Sequence, residues 1–363
     1  MSAAEEISAI QRCITNRLDA EIIGDRRIAG VIGEAPSRYS KSPALWNAAF
    51  AELSMHALYL PLDVNSAKLK ALATALRNCE QLLGINVTVP HKLTVMDYLD
   101  ELDPGAARIQ AVNTVVRTPA GRLIGHNTDG AGFVASLLNP QPRRKESFVA
   151  SLSGADVLLL GAGGSARAVA FHVSELLGRG KLIICNRTVE HALALAQEMR
   201  AAGYHAEAIS ENELPRWAPK VILIINSTTK GQGGVFLLES YSALAPARPL
   251  FAGGAEASAA ESSGAGARAA EDDIRRNNEA SLRLASAIPR SVRFYDLIYH
   301  PEETVFLRHG RDTGHQTMNG KAMIVCQAAI AFCNHICRAE LQARGMDDGE
   351  TYRRILATMH NAW

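Results

Sequence analysis

The segment GAGGSA, Gly161–Ala166, constrains the fold more than any other stretch of the chain, because it separates a strand-like run from a helical pattern. ADVLLLG comes before it and predicts a buried strand, and KLIICNR follows the helix as a second strand. The spacing G-x-G-x-x-A inside a βαβ unit of about 30 residues is typical of a dinucleotide-binding turn. We therefore predict a Rossmann-type domain in the second half of the chain.

Each position of this turn has a physical role in the prediction. Gly161 allows the tight turn, Gly163 lets the backbone approach a pyrophosphate, and Ala166 permits close packing of helix on strand. The backbone N–H groups of Gly164, Ser165 and Ala166, together with the helix dipole, are expected to hold the anion. A tight turn without a ligand is the alternative, and the strand–turn–helix–strand order disfavours it.

The end of the next strand predicts which dinucleotide binds. An NAD site usually places Asp or Glu there to bind the ribose 2′-hydroxyl. This chain instead has Asn186, Arg187 and Thr188 after Cys185. An arginine fork with two small hydrogen-bonding neighbours suits a 2′-phosphate. NADP is therefore the predicted cofactor, the alternative being that Arg187 is an ordinary exposed arginine.

Length and charge exclude several classes of function. The 363 residues suit two domains, and a net charge of +1 offers no field for nucleic acid or an anionic membrane. No apolar run approaches the ~20 residues of a membrane span, and the acidic N-terminal stretch argues against a secretory signal or a transit peptide. The six cysteines lack metal-ligand or disulfide spacing, so we expect reduced thiols, a cytoplasmic location and no metal.

Alternating strand and helix patterns predict an α/β fold in both halves. RIAGVIG, HALYLPLDV, LLGINVTVP and VILIINST predict strands, and SPALWNAAFAEL and the stretch after Asn65 predict helices. AVNTVVRT and GRLIGHNT flank Pro119-Ala120 and predict a hairpin. After Gly320 the pattern is helical, with apolar positions at Ala322, Val325, Ala329 and Phe332.

One segment does not fit a compact domain. Residues 252–270 read AGGAEASAAESSGAGARAA, which has almost no large apolar side chains to offset the entropy of ordering the chain. We predict a mobile surface insertion, followed by a short solvated helix over 271–287, without a catalytic role.

Four stretches of the first half lie at or near the carboxyl ends of predicted strands, where open α/β sheets bind ligands. They are SKSP at 40–43, NVTVPHK at 86–92, AVNT at 111–114 and NTDG at 127–130. By itself, Lys92 in the second of them would be an ordinary surface lysine. Beside NVTVP and NTDG it becomes a candidate proton donor above a pocket.

These four stretches, with GAGGSA and NRT in the same order, resemble the shikimate dehydrogenase family. DLIYHPEET at 296–304 and NGKAMIVCQAA at 319–329 are similar to two further family segments, and the likeness spans about residues 28–345. The resemblance implies NADP-linked interconversion of 3-dehydroshikimate and shikimate, with substrate and nicotinamide meeting between two domains. It implies a small-molecule substrate and a monomer or homodimer.

The resemblance also implies a domain plan. Residues 1–26 form an N-terminal extension, and 27–130 with the C-terminal helices of 320–363 form an α/β substrate-binding catalytic domain. Residues 131–319 form the Rossmann-type NADP-binding domain, interrupted by the low-complexity insertion near 252–287.

Site residues carry over from the family one by one. Lys92 transfers the proton or polarises the carbonyl, and Asp129 orients its ammonium and binds a ring hydroxyl. The substrate carboxylate and ring hydroxyls are assigned to Ser40, Ser42, Thr88, Asn113, Gln327 and Tyr299. Gly320 and Met323 flank the nicotinamide. For several of these the alternative is structural: Ser42 as a helix cap, Tyr299 and Met323 as core, and the amides as satisfied buried groups.

The chain departs from the family pattern at several points. Tyr39 and Trp46 replace two histidines, which puts the outer wall of the pocket in doubt. Lys321 adds a charge near the cofactor, and Glu190-His191 replaces a second arginine, which could soften the NADP preference.

Three other functions compete with the leading one. Quinate or aminoshikimate dehydrogenation uses the same chemistry on a related acid. A methylene-tetrahydrofolate dehydrogenase-like enzyme also pairs a lysine with a Rossmann domain, but SKSP and NTDG favour the shikimate family. A non-catalytic cofactor-binding protein, with the insertion as a docking segment, is disfavoured because Lys92 and Asp129 are both present. We predict a single activity.

Overall fold

The computed structural model describes residues 2–141, 144–233, 238–247 and 264–363. The chain forms two compact units, Met1–Ser147 with Ala322–Trp363, and Phe148–Lys321. The first unit includes the N-terminal 26 residues, and it continues past the boundary at 130 that the sequence suggested.

Strands and helices alternate along most of the chain. The strands are β1 (Arg27–Gly33), β2 (Ala57–Asp63), β3 (Leu82–Val87), β4 (Glu101–Leu102), β5 (Thr114–Arg117), β6 (Leu123–His126), β7 (Val157–Leu160), β8 (Leu182–Cys185), β9 (Ala206–Ile209), β10 (Leu223–Asn226), β11 (Arg293–Asp296) and β12 (Thr317–Met318). The helices are α1 (Ala3–Gln11), α2 (Ala20–Ile23), α3 (Pro36–Tyr39), α4 (Ser42–Glu52), α5 (Leu69–Arg77), α6 (Pro104–Ile109), α7 (Asp129–Leu138), α8 (Gly164–Leu177), α9 (Val189–Ala201), α10 (Leu214–Trp217), α11 (Gly264–Ala287), α12 (Val305–Asp312), α13 (Lys321–Ala331), α14 (Arg338–Ala343) and α15 (Gly349–Asn361).

The first unit is built on a mixed sheet in the order β2-β1-β3-β5-β6-β4. β1 pairs in parallel with β2 and β3, and its buried run Ile28–Gly33 explains the lack of polar alternation in the sequence. β5 and β6 pair antiparallel, which confirms the predicted hairpin. The carboxyl ends of β1, β2 and β3 meet at one edge of the sheet, which is the edge where the candidate residues follow.

The core on one face of this sheet is aromatic and includes Trp46. Its ring stacks on Tyr59 with centroids 4.8 Å apart and lies 5.2 Å from Phe332, and the side chain is 0% exposed. Trp46 therefore packs the interior and does not form an outer wall of a pocket. Tyr39, the other departure, is exposed at the end of α3.

The second unit has a parallel sheet in the order β12-β11-β10-β7-β8-β9. β7, β8 and β10 are buried at every position and read VLLL, LIIC and LIIN. Counted from β7, this strand order is that of a doubly wound dinucleotide-binding domain. The two-domain α/β prediction, with a Rossmann-type second domain and C-terminal helices in the first, is confirmed.

The prediction for the low-complexity segment needs correction. Residues 252–263 lie outside the described residues, but α11 already begins at Gly264, inside the stretch expected to be mobile. α11 is also not solvated on all sides, because Asp273, Asn277 and Ser281 are buried along one face. Asn277 accepts from the backbone N–H of Ser242 at 2.8 Å, so polar contacts hold this helix.

Candidate active site

Lys92 lies in the turn that follows β3. The strand ends at Val87, earlier than the predicted Pro90, and the chain turns before a short 3-10 helix begins at Thr94. Nε2 of His91 lies 2.8 Å from the carbonyl oxygen of Val64, which anchors this turn to the end of β2. Because His91 is buried and held in this way, the backbone position of the adjacent Lys92 is fixed.

The ammonium of Lys92 is paired with the carboxylate of Asp129. Nζ donates to Oδ2 at 2.6 Å, and the side chains are 17% and 6% exposed. Asp129 is the first residue of α7, where the helix dipole favours a negative charge. The two candidates for proton transfer are therefore held together in a poorly hydrated place, where their attraction is stronger than on the surface.

Asn113 holds Asp129 from the other side. Its Nδ2 donates to Oδ1 of Asp129 at 2.7 Å, and also lies 3.0 Å from Thr128 Oγ1 and 3.2 Å from Gln327 Oε1. Its Oδ1 accepts from the backbone N–H of Thr128 at 2.9 Å and from Thr114 Oγ1 at 2.9 Å. This buried amide therefore fixes the orientation of the carboxylate and brings Gln327, from α13, to the same cluster.

A second buried amide, Asn86, connects this cluster to β2, and sequence reasoning gave it no role. Asn86 Nδ2 donates to Thr114 Oγ1 at 3.1 Å, and Asn86 Oδ1 accepts from the hydroxyl of Tyr59 at 2.7 Å. Burial raises the pKa of that hydroxyl well above the ordinary value. A continuous chain of hydrogen bonds therefore runs from Tyr59 through Asn86, Thr114 and Asn113 to Asp129.

The two predicted serines occupy one turn between α3 and α4. The N–H of Ser42 donates to Ser40 Oγ at 3.2 Å, and the N–H of Ser40 donates to the carbonyl of Pro36 at 2.9 Å. Thr88 follows β3, and its N–H donates to the carbonyl of Ile32 at 2.9 Å. Both serines and Thr88 are half-buried.

The glycine-rich turn in the second unit has the geometry of a phosphate cradle. Gly161 has φ +110°, and a Cβ there would lie 2.5 Å from Ser227 Oγ, so only glycine fits. A Cβ on Gly163 or Gly164 would meet no atom within 4 Å, which leaves open space beside the backbone. No side chain caps the first turn of α8, so its N–H groups, including those of Ser165 and Ala166, fit a pyrophosphate.

Asn186, Arg187 and Thr188 follow β8 at the same edge. Asn186 Nδ2 donates to the carbonyl of Thr188 at 2.8 Å, which closes the turn. Arg187 and Thr188 are exposed, and no carboxylate lies among these three residues. An exposed guanidinium at this strand end fits a 2′-phosphate better than a bare ribose.

The remaining predicted residues divide between the units. Tyr299 follows β11, and burial raises the pKa of its phenol. Gly320 is buried so tightly that a Cβ would lie 2.0 Å from the carbonyl oxygen of Leu297. Met323 is 4% exposed and belongs to the first unit, whereas Tyr299 and Gly320 belong to the second.

Within the described ranges, no group of three or more His, Cys, Asp or Glu is placed to hold a metal ion. No helix in that same part of the chain is long and apolar enough to cross a membrane.

Known families and structures match both halves of the chain. Residues 31–115 match the shikimate dehydrogenase substrate binding domain, and residues 144–240 match the shikimate / quinate 5-dehydrogenase family. A shikimate dehydrogenase (NADP(+)) of Lysinibacillus sphaericus is 36% identical over 302 residues, covering 83% of this chain and 89% of the relative.

Two solved structures show the same fold. A shikimate dehydrogenase in complex with NADP+ is similar with a TM-score of 0.67 and 27% identity, covering 96% of each chain. The shikimate 5-dehydrogenase of Thermus thermophilus, in complex with NADP(H) and shikimate, has a TM-score of 0.61 and 27% identity, covering 90% of this chain and 99% of that one.

Proposed function

This chain belongs to the shikimate dehydrogenase family, and we propose that it interconverts shikimate and 3-dehydroshikimate with NADP. It is an oxidoreductase acting on a CH–OH group. The observation that carries the assignment is the Lys92–Asp129 pair, with Nζ and Oδ2 2.6 Å apart, held by a buried amide cluster at the ligand-binding edge of the sheet. Preorganised charged groups of this kind stabilise charge that develops during a reaction, so the pair supports an enzyme over a binding protein.

Lys92 is the group that moves the proton. On oxidation the uncharged amine of Lys92 accepts the proton of the reacting hydroxyl and becomes the ammonium. On reduction the ammonium returns that proton to the carbonyl oxygen and becomes the amine again. The carboxylate of Asp129 accepts a hydrogen bond from the same Nζ, which orients the lysine and holds a neighbouring ring hydroxyl. Asn113 keeps Asp129 from rotating away, because it occupies the second carboxylate oxygen at 2.7 Å.

The other polar groups bind the substrate. The hydroxyls of Ser40 and Ser42 bind the carboxylate, and Thr88, Asn113 and Gln327 bind ring hydroxyls. The chain of hydrogen bonds from Tyr59 to Asp129 supports this assignment, since it holds the polar groups at the reacting end in fixed orientations. Tyr299 is assigned a further substrate contact.

When bound, NADP would supply the hydride chemistry. The turn from Gly161 to Ala166 would hold its pyrophosphate on the uncapped amides of α8, and Arg187, with Asn186 and Thr188, would hold the 2′-phosphate. Gly320 and Met323 are the residues assigned to the nicotinamide. The open space beside Gly163 and Gly164 is the observation that fits this group.

The setting of the reaction is also a proposal. The six cysteines are all free, which supports a reducing compartment, and we assign the protein to the cytoplasm as a monomer or homodimer. Its partner is the small acid substrate.

Initial rates with shikimate and with quinate, each with NADP and with NAD, test the assignment. We expect turnover with shikimate and NADP and much slower turnover with the other pairs. Faster turnover of quinate, or of an aminoshikimate, would transfer the assignment to that acid. Absence of turnover with every acid would overturn it and favour a binding protein.

A further inference from the structure

The N-terminal segment, residues 2–18, is firmly held on the first unit. α1 begins with a capping box in which Ser2 and Glu5 satisfy each other's backbone N–H groups. Its apolar side Ile7, Ile10 and Ile14 is 4%, 0% and 8% exposed and packs into the core of the unit. The segment therefore has a defined place from which it can act on its neighbours.

The end of this segment is bonded to the carboxyl end of β2. The backbone N–H of Thr15 donates to the carbonyl of Asp63 at 2.8 Å, and the N–H of Asp63 donates to Asn16 Oδ1 at 2.7 Å. Asn16 Nδ2 donates to the carbonyl of Pro61 at 2.9 Å, and Gln11 Nε2 donates to the carbonyl of Asn16 at 2.9 Å. Asn16 thus binds the backbone of β2 at Pro61 and at Asp63, its last residue, and fixes the end of the strand.

The carboxylate of Asp63 in turn binds the helix that leads into the serine-bearing turn. It is 6% exposed, and its two oxygens accept from the N–H of Ser37 at 2.9 Å and from Ser37 Oγ at 2.5 Å. α3 has only four residues and no side-chain cap from Ala35, its own N-cap residue. Asp63 therefore supplies from a neighbouring strand the anchor that such a short helix lacks.

α3 leads directly into the turn of Ser40 and Ser42. We propose that Asn16, Asp63 and Ser37 form a positioning relay, through which the N-terminal segment sets the place of the serine hydroxyls and thereby the affinity for the substrate carboxylate. The relay rests on the proposed function, because it assumes that the two serines bind that carboxylate. None of the three residues touches the reacting carbon, so they are positioning residues and not catalytic ones.

The test compares shikimate with its methyl ester, which keeps the ring and loses the carboxylate charge. Binding of each is measured by calorimetry on the full-length chain and on the variants Asn16→Ala, Ser37→Ala and Asp63→Ala. We expect each variant to weaken shikimate binding about tenfold, the order expected when a substrate-positioning group is displaced. Binding of the methyl ester and of NADP should stay within about threefold.

Glu6→Gln is the matched control, because it disturbs the same N-terminal segment near the amino end of β3, away from the carboxyl ends of the strands. Glu6 is 4% exposed and accepts from the backbone N–H of Glu80 at 2.9 Å, just before β3 begins at Leu82. A loss of thermal stability without loss of shikimate affinity is expected for this variant. Asp63→Asn, which keeps one acceptor oxygen, should recover part of the affinity that Asp63→Ala loses.

The outcomes separate the two proposals. Selective weakening of shikimate binding in the relay variants, and not in Glu6→Gln, supports the relay. If the wild-type chain binds shikimate and the relay variants bind it equally well, or lose shikimate and ester affinity alike, the relay is wrong and the proposed function stands. A wild-type chain that binds no shikimate overturns both. Should Asp63→Ala fail to fold, the exposed Ser37→Ala decides alone.

Discussion

Replacing Lys92 by alanine is the perturbation that bears most closely on the chemistry. Lys92 is only 17% exposed and donates to Asp129 at 2.6 Å, so alanine removes both the amine and its ion pair. A positioned general acid or base contributes about 10²–10⁴-fold to a rate. We therefore expect kcat for shikimate oxidation to fall by about that factor.

The fold should tolerate the change. The carboxylate of Asp129 loses its cation but keeps Asn113 Nδ2 at 2.7 Å and the helix N-terminus of α7. The cost is therefore about 1–3 kcal/mol, below that of a fully buried and unpaired charge. The melting temperature should therefore fall only modestly. The affinity for NADP should be unchanged, because the cofactor turn lies in the second unit.

The assay is steady-state formation of NADPH with saturating NADP and varied shikimate. Lys70→Ala, an exposed lysine of α5 in the same unit, is the matched control and should keep the wild-type kcat. A kcat for Lys92→Ala within about threefold of wild type would refute the assignment of proton transfer to this residue. A large rise in KM with an unchanged kcat would mean that Lys92 binds substrate and does not move the proton.

Three further predictions follow from other parts of the structure. Arg187→Ala should raise KM for NADP roughly 10–100-fold and leave KM for NAD unchanged, since it removes charge-assisted hydrogen bonds to the 2′-phosphate; an equal effect on both cofactors would contradict the role. Gly132→Ala would place a Cβ 2.5 Å from Cβ of Gln327 and 2.6 Å from its backbone N. The free energy of unfolding should therefore fall by about 1–3 kcal/mol, and kcat should fall as well. An unchanged melting temperature would show that the structure relaxes around this contact without cost. Burial first, and then His126, whose ring centroid lies 4.3 Å away, lower the pKa of His335 to about 4. Because the pKa of His335 is lower in the folded than in the unfolded state, its contribution to the free energy of unfolding is present above about pH 6.5 and is lost as the pH falls toward 4. The loss is about 3 kcal/mol at most. His335→Gln should therefore flatten the pH dependence of the free energy of unfolding measured between pH 7 and 5.

Much of the fold could be predicted because the sequence signals are local. Buried strands such as β7 and β8 are short apolar runs beside turn residues, and the hairpin of β5 and β6 is marked by Pro119-Ala120. The end of β3 was harder to predict, because Thr88 continues the β-branched pattern although the strand already ends at Val87. The prediction for α11 was wrong in part because the buried residues Asp273, Asn277 and Ser281 are polar and give no periodic apolar signal, while the buried apolar residues Leu284 and Ala285 lie near the end of the helix.

The candidate site could be predicted only in part. Lys92 and Asp129 carry chemistry that a motif can mark. Asn86 and Thr128 stand inside quoted motifs, yet their hydrogen bonds to Tyr59 and Gln327 join segments far apart in sequence. Asp63 belongs to no recognisable motif. Its contacts with Ser37 and Asn16 are visible only in the folded structure, where distant segments meet at the end of β2. Side-chain relays of this kind depend on tertiary contacts, so a single sequence does not reveal them.

Transfer of a hydride between shikimate and NADP can be followed with an isotope. Shikimate that carries deuterium on the reacting carbinol carbon is incubated with the enzyme and NADP, and both products are examined by mass spectrometry. We expect deuterium in NADPH and 3-dehydroshikimate without label. Label that stays in the acid, or appears in water, would overturn the assignment.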